Sequence, residues 1–257
     1  MALSKRKRRA LRKQGVLDER DRVPTRGMKL ADIHPKTDNQ KKTFDAYDED
    51  QHLILHGCPG TGKTFLSLYL ALFDLFEYKE NEYDKIVVIR SAQPSKDMGF
   101  LPGKESEKLA AYEAPYRGIT AELFQRGDAY DILKQKNLIE FQSTSYLRGT
   151  TIDNCIIILD EAQNLSYMEL KTVLTRVGEG SRVIICGDVL QDDLTSSRYN
   201  QQSGLQQAIR IFGQIPSMTH IEFGIDDIVR SGFVKEFIIA ESMMLCHNEI
   251  VDIRSVA

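Results

Sequence analysis

The run Gly57-Cys58-Pro59-Gly60-Thr61-Gly62-Lys63-Thr64 carries the clearest chemistry in this sequence. It reads GxxxxGK[ST], after an apolar β-branched stretch and before a helix-forming one, the context that this phosphate-binding pattern requires. Gly60 and Gly62 let the backbone curl until its amides face inward as an anion nest. The helix that follows points its positive end at the same anion. Lys63 is spaced to reach the β- and γ-phosphates of a nucleoside triphosphate, and the Thr64 hydroxyl to ligate Mg²⁺.

A second run, Ile156-Ile157-Ile158-Leu159-Asp160-Glu161, is an apolar strand ending in two acids. Asp160 would hold Mg²⁺, through water, since this ion keeps much of its hydration. Glu161 suits a base that orients and deprotonates an attacking water. A protein that only bound nucleotide, or that passed phosphate to a substrate hydroxyl, would not need it. A third run, Val183-Ile184-Ile185-Cys186-Gly187-Asp188, places Gln191 just beyond a strand tip. Gln191 fits a polar sensor of the γ-phosphate, with a solvated loop glutamine as the alternative.

No Asn-Lys-x-Asp guanine-reading motif follows, so ATP is the expected nucleotide. A glutamine amide can read adenine with one donor and one acceptor. Gln40 is the candidate, with Gln51 a nearer competitor and a plain surface glutamine the alternative. An arginine contacting the γ-phosphate would raise turnover by ~10³–10⁵-fold. Arg148, Arg176 and Arg230 are the candidates, each against a surface salt bridge.

These side chains need a frame. Strand patterns fall at His52–His56, Lys85–Arg90, Leu138–Ser143, Cys155–Leu159, Arg182–Cys186 and His220–Phe223. Helix patterns fall at Lys63–Glu77, Glu105–Phe124, Tyr167–Val177, Gly204–Phe212 and Asp227–Glu241. Alternating βα units predict an α/β fold, a P-loop NTPase with a mostly parallel sheet and helices on both faces. A catalytic glutamate after the Asp160 strand predicts that Arg182–Cys186 lies between the P-loop strand and the Asp160 strand. Ser166-Tyr167-Met168-Glu169 reads as a capping box, with Leu165 and Leu170 as a hydrophobic staple. Gly178 would then give that helix a left-handed C-terminal cap.

The chain has 257 residues, 42% hydrophobic and 28% charged, ordinary soluble composition. No apolar run approaches the ~20 residues that cross a bilayer. The basic start has no hydrophobic segment behind it, so no secretory signal is expected and a cytoplasmic location is. Cys58, Cys155, Cys186 and Cys246 form no CxxC pair, which argues against a zinc site or a disulfide framework. Residues 1–29 hold eleven Lys/Arg against three acids, a net of +8, so with −3 for the whole chain the remainder carries −11. Residues 1–31 read as a mobile basic tail, and 32–257 as one ATPase domain. The tail could clamp phosphates by releasing counterions, or simply be a solvated arm. It has no aromatic residue to stack on a base.

Taken in order, GCPGTGKT, IIILDEAQN, LTRVGEGSRVIICGDVLQDDL, SGL and DDIVRSGFV resemble the PhoH-like ATPases of bacteria and their phages. GFLPG at Gly99–Gly103 and YLRG at Tyr146–Gly149 match the same family. The resemblance covers roughly residues 35–240 and departs at Cys58-Pro59, where the family more often has Pro-Ala. It implies a single RecA-like core related to superfamily 1 helicases, ATP hydrolysis with Mg²⁺, and RNA-linked work tied to phosphate-starvation regulation. It also implies a homo-oligomer, with a hexameric ring as one form, and it matches Arg230 to a family arginine motif. A helicase of that superfamily closes ATP between two RecA-like domains. A chain with one would place ATP between subunits, Arg176 or another arginine coming from the neighbour. Single-stranded RNA or another nucleic acid is the expected partner, and no membrane. The competing class is a regulatory ATPase acting on a protein partner without nucleic acid.

Overall fold

The computed structural model describes residues 28–77, 83–91, 105–144, 147, 149, 151–188 and 204–241. Its order is α1 (Asp38–Asp48), β1 (His52–Gly57), α2 (Lys63–Glu77), β2 (Lys85–Arg90), α3 (Glu105–Phe124), α4 (Ala129–Gln135), β3 (Ile139–Ser143), β4 (Cys155–Leu159), α5 (Tyr167–Leu174), β5 (Arg182–Gly187), α6 (Gly204–Phe212) and β6 (Met218–Phe223). A last helix, α7, spans 232–241. The strands form one sheet in the order β3-β2-β4-β5-β1-β6. Every pairing is parallel. β5 therefore lies between β1 and β4, as the catalytic-glutamate pattern requires. This is the RecA-like P-loop arrangement.

Side-chain alternation along buried strands builds two cores. Leu53, Leu55, Ile86, Val88, Ile156, Ile158 and Ile184 pack with α1, α2, α3 and α4 on one face. Ile54, Val87, Ile89, Ile157, Leu159, Val183 and Ile185 pack with α5 and α6 on the other. Because both faces are covered, the strands read as continuous apolar runs. Among the described residues, no helix is long and apolar enough to cross a membrane.

Three local readings differ from the structure. Helix α5 starts with the expected capping box, Ser166 Oγ accepting from the Glu169 amide and the Glu169 carboxylate from the Ser166 amide. It ends at Leu174, however, and Gly178 is not left-handed. Ile152 N–H donates to Arg176 O and Gly178 N–H to Ile152 O, both at 2.8 Å. These bonds pull the chain out of the helix before a cap at 178 could form. Gly178 is instead needed for space, since a Cβ there would meet Asp153 Oδ1 at 1.8 Å. The helix expected over Asp227–Glu241 is split into a 3₁₀ turn at Ile225–Asp227 and α7. The extended break leaves Val229 N–H free to bond Gly60 O at 3.1 Å. Helices α1 and α4 have no counterpart among the helix patterns read above.

At the amino end of the sheet, Arg182 is buried. Its guanidinium stacks 3.7 Å over the Tyr47 ring and donates through Nε to Gln51 O at 2.9 Å. It also lies 3.9 Å from the buried Asp74 carboxylate, which accepts from Tyr47 Oη at 2.9 Å. This group ties β5, α1 and α2 together. Breaking a buried charge pair costs about 3–5 kcal/mol, so Arg182→Met should lower urea-unfolding stability by several kcal/mol. A loss under about 1 kcal/mol, the scale of an exposed pair, would contradict this account.

One strand pair carries a pH dependence. His56 on β1 faces His220 on β6, ring centroids 4.3 Å apart, with Nε2 against Nε2. Burial first, then the His220 charge, lowers the His56 pKa from 6.5 to about 4, against the opposing pull of Glu222. The unfolded chain thus takes up this proton before the folded one does. The stability involved is present above pH 6.5 and is lost as pH falls towards about 4. The urea midpoint of wild type should drop across that window, and His56→Gln should flatten the drop. Identical slopes for the two proteins would rule the assignment out.

Candidate nucleotide site

The carboxyl ends of β1, β4 and β5 open on a cleft of about 490 Å³. Gln40, Lys63, Thr64, Asp160, Glu161 and Arg230 are among its walls. The glycine loop leaves β1 at Gly57, whose φ is 110°. A Cβ at Gly57 would lie 2.2 Å from Phe223 O on β6, so only glycine fits. Gly60 and Gly62 also have positive φ, at 74° and 84°, and the loop turns straight into α2 at Lys63. Lys63 Nζ donates to the carbonyls of Gly57 and Cys58, both at 2.8 Å, and so is folded back over the loop. Burial holds its pKa below the ordinary lysine value, against the pull of Asp188. Burial likewise pushes the Cys58 thiol up, leaving it a small packed side chain.

Thr64 and Asp160, 96 positions apart in sequence, meet at 2.8 Å, the Thr64 hydroxyl donating to Asp160 Oδ1. Tyr116 Oη on α3 donates to Oδ2, also at 2.8 Å. The carboxylate is buried. Burial first, then the charge of Glu161, raises its pKa above the ordinary value, while the bonds from Tyr116 and Thr64 work the other way. Desolvation together with Asp160 keeps the Tyr116 phenol protonated and therefore a donor.

Glu161 takes a left-handed backbone, φ 53° and ψ 45°, uncommon for a residue with a side chain. Its Oε2 accepts from Gln163 Nε2 at 2.6 Å. Gln163 Oε1 in turn accepts from the Asp188 amide at the tip of β5, at 3.0 Å. Arg90, at the tip of β2, brings Nη2 to 3.9 Å from Glu161 Oε1.

Among the candidates from sequence, the cleft gathers Gly60, Gly62, Lys63, Thr64, Asp160, Glu161, Gln40, Pro59 and Arg230. Thr61 is buried behind the loop, its hydroxyl donating to Cys58 O at 3.0 Å. The Gln40 amide is occupied at both ends, donating to Thr61 O at 3.0 Å and accepting from Lys36 N–H at 2.8 Å. It therefore braces the glycine loop in this arrangement. Arg230 stands on the break before α7, its Cγ close against Gly60, and not at a helix start. Arg176 is elsewhere: its backbone bonds Ile152, just before β4, at the amino end of the sheet. Gln191, Arg148 and the GFLPG motif lie outside the described residues. Three participants were not singled out from sequence. Gln163 stood in plain view two positions beyond Glu161, but Arg90 and Tyr116 had no local signal.

The residues fit a magnesium ion. Hydroxyl and carboxylate oxygens of Thr64 and Asp160 converge on one point of the cleft, and a hard oxygen set of this kind, completed by phosphates and water, is what Mg²⁺ takes. Among the described residues no group of three His, Cys, Asp or Glu side chains is placed to hold a metal by protein ligands alone.

A family model described as PhoH-like protein matches residues 32–241. A PhoH-like protein of Mycobacterium leprae is 36% identical over 212 residues, covering 80% of this chain and 57% of its own. One of Bacillus subtilis is 34% identical over 215 residues, covering 83% and 65%. The Protein PhoH of Escherichia coli is 33% identical over 227 residues, covering 88% and 60%. The chain thus spans about three-fifths of the length of the curated relatives it matches. Among solved structures, the large terminase from a thermophilic bacteriophage aligns at a TM-score of 0.42 and 8% identity, over 78% of this chain and 48% of its own. The Sulfolobus solfataricus SWI2/SNF2 ATPase core in complex with dsDNA aligns at 0.42 and 16%, over 78% and 46%. With a family model matched from residue 32 to residue 241 and relatives above 30% identity along four-fifths of its length, this chain belongs to the PhoH-like protein family.

Proposed function

We propose that this chain binds ATP at the carboxyl ends of β1 and β4 and hydrolyses it to ADP and phosphate. The observation that carries the reading is the 2.8 Å bond between Thr64 and Asp160, which joins the two halves of a triphosphate site across 96 positions of sequence. The loop amides and the start of α2 would hold the β- and γ-phosphates. Lys63 Nζ would exchange its bonds to the Gly57 and Cys58 carbonyls for phosphate oxygens, placing its charge where negative charge develops. Thr64 and Asp160 would hold Mg²⁺, which when bound draws charge from the phosphate oxygens. Glu161 lines the cleft. It would accept a proton from the attacking water as the water oxygen bonds to the γ-phosphorus and the ADP oxygen leaves. Gln163 fixes the Glu161 carboxylate, and Gln191 remains the proposed monitor of the γ-phosphate.

Arg230, a wall of the cleft, would neutralise phosphate charge within its own chain. Arg176, at the far end of the sheet, could reach a triphosphate only in a second subunit. On that reading the site would be shared in a homo-oligomer, a ring being one closed form. Work on single-stranded RNA is the finer reading, supported by the net +8 of residues 1–29 against an acidic remainder.

Lys63→Ala should lose nucleotide binding, whereas Glu161→Gln should retain it and lose turnover by about 10²–10⁴-fold, the usual share of a general base. Fluorescent-ATP titration and phosphate release check both. Wild-type turnover by Glu161→Gln would remove its assigned role. Single-stranded RNA should raise phosphate release by the wild-type chain. No response would favour a protein client.

A further inference from the structure

We infer that Arg90 is a positioning residue that restrains Glu161, and that full turnover requires this contact to open. The inference rests on the proposed role of Glu161 as the base. The two carboxylate oxygens of Glu161 face unlike partners. Oε2 accepts a 2.6 Å hydrogen bond from Gln163, itself tied to the β5 tip through the Asp188 amide. Oε1 faces the Arg90 guanidinium at 3.9 Å, an ion pair too long to be a hydrogen bond. Water would meet Glu161 at Oε1, and a guanidinium beside that oxygen opposes the arrival of the proton. Of the two contacts to Glu161, the guanidinium's is the longer and has no hydrogen bond, although Arg90 also interacts with the Tyr116 hydroxyl.

The approach of Arg90 fits that role. Parallel pairing of β2 and β4, with Ile89 O accepting from Asp160 N–H at 2.9 Å, sets Arg90 beside Glu161. Yet Arg90 is not among the residues lining the nucleotide cleft. It reaches Glu161 from the β2 and α3 side, where the Tyr112 ring lies 5.9 Å from its guanidinium. Its side chain is 23% exposed and that of Glu161 38%. An anionic group arriving on this side could draw the guanidinium off without touching bound nucleotide. A cation fixed there merely to stabilise phosphate charge would instead line the cleft, as Lys63 and Arg230 do.

The test is steady-state hydrolysis with the full chain carrying Arg90→Met, Arg90→Lys, Glu161→Gln, or Arg90→Met with Glu161→Gln. Arg90→Met should raise kcat by about two- to fivefold, the scale of a weak, partly exposed ion pair, with KM for ATP unchanged. Arg90→Lys should return kcat towards wild type. In the Glu161→Gln background, Arg90→Met should add nothing, because its effect passes through that carboxylate. A fall in kcat for Arg90→Met, or a change confined to KM, would overturn the inference. So would a gain that persists without Glu161. Should Glu161→Gln alone turn over like wild type, the base assignment fails first and independently. A thermal melt of each variant, with ATP binding measured in parallel, separates loss of folded protein from a change in rate.

Discussion

A carboxylate taken out of water must be met by donors, and the Asp160 carboxylate at the end of β4 is buried. Removing such a charge from water without partners costs several kcal/mol. Thr64 from the start of α2 and Tyr116 from the middle of α3 each supply one hydrogen bond of 2.8 Å, one to each oxygen. Three elements distant in sequence are thereby fixed to one point. The same requirement that keeps the fold in register keeps a hydroxyl and a carboxylate together at the phosphate-binding loop. Stability and the site therefore share one buried carboxylate.

Strand order extends this point into a network. Because β5 runs between β1 and β4, its tip delivers the Asp188 amide to Gln163, and Gln163 passes the constraint to Glu161. Hydrogen bonds in series polarise one another in a poorly solvated site. On the other side, β2 delivers Arg90. Glu161 sits between a stiff tether and a loose one, on a left-handed backbone that holds it at the turn. Cation charge at the cleft comes from two elements, Lys63 from the loop and Arg230 from the break before α7. That break exists because Val229 bonds the glycine loop rather than continuing a helix.

Much of this was legible in the residues because it is local. Glycine spacing, β-branched runs and the capping box at Ser166 each need only neighbours in sequence to be recognised, and the strand order followed from the acid after Asp160. What was not legible depends on distant partners. Gly178 looked like a helix cap, but a backbone bond to Ile152 decides the end of α5. Helix α1 is short and polar with few buried residues, so its apolar period is weak. Its one signal was Thr37 capping the Gln40 amide three residues on. Gln40 was weighed as an adenine reader, and its amide bonds to the loop and to Lys36 had no local signal. Tyr116 lies in a long helix with nothing beside it to mark the residue that meets Asp160. Arg90 gained meaning only once β2 and β4 were seen as neighbours.

The central claim is that Asp160, held by Thr64 and Tyr116, is the point where metal, nucleotide and fold meet. Calorimetric titration of ATP with and without Mg²⁺ tests it most directly, on wild type and on Asp160→Asn, whose folding is checked by near-ultraviolet circular dichroism. The account predicts that Mg²⁺ tightens ATP binding by wild type and that a folded Asp160→Asn protein loses this dependence while still binding ATP through the loop. An equal Mg²⁺ response in the two proteins would contradict it.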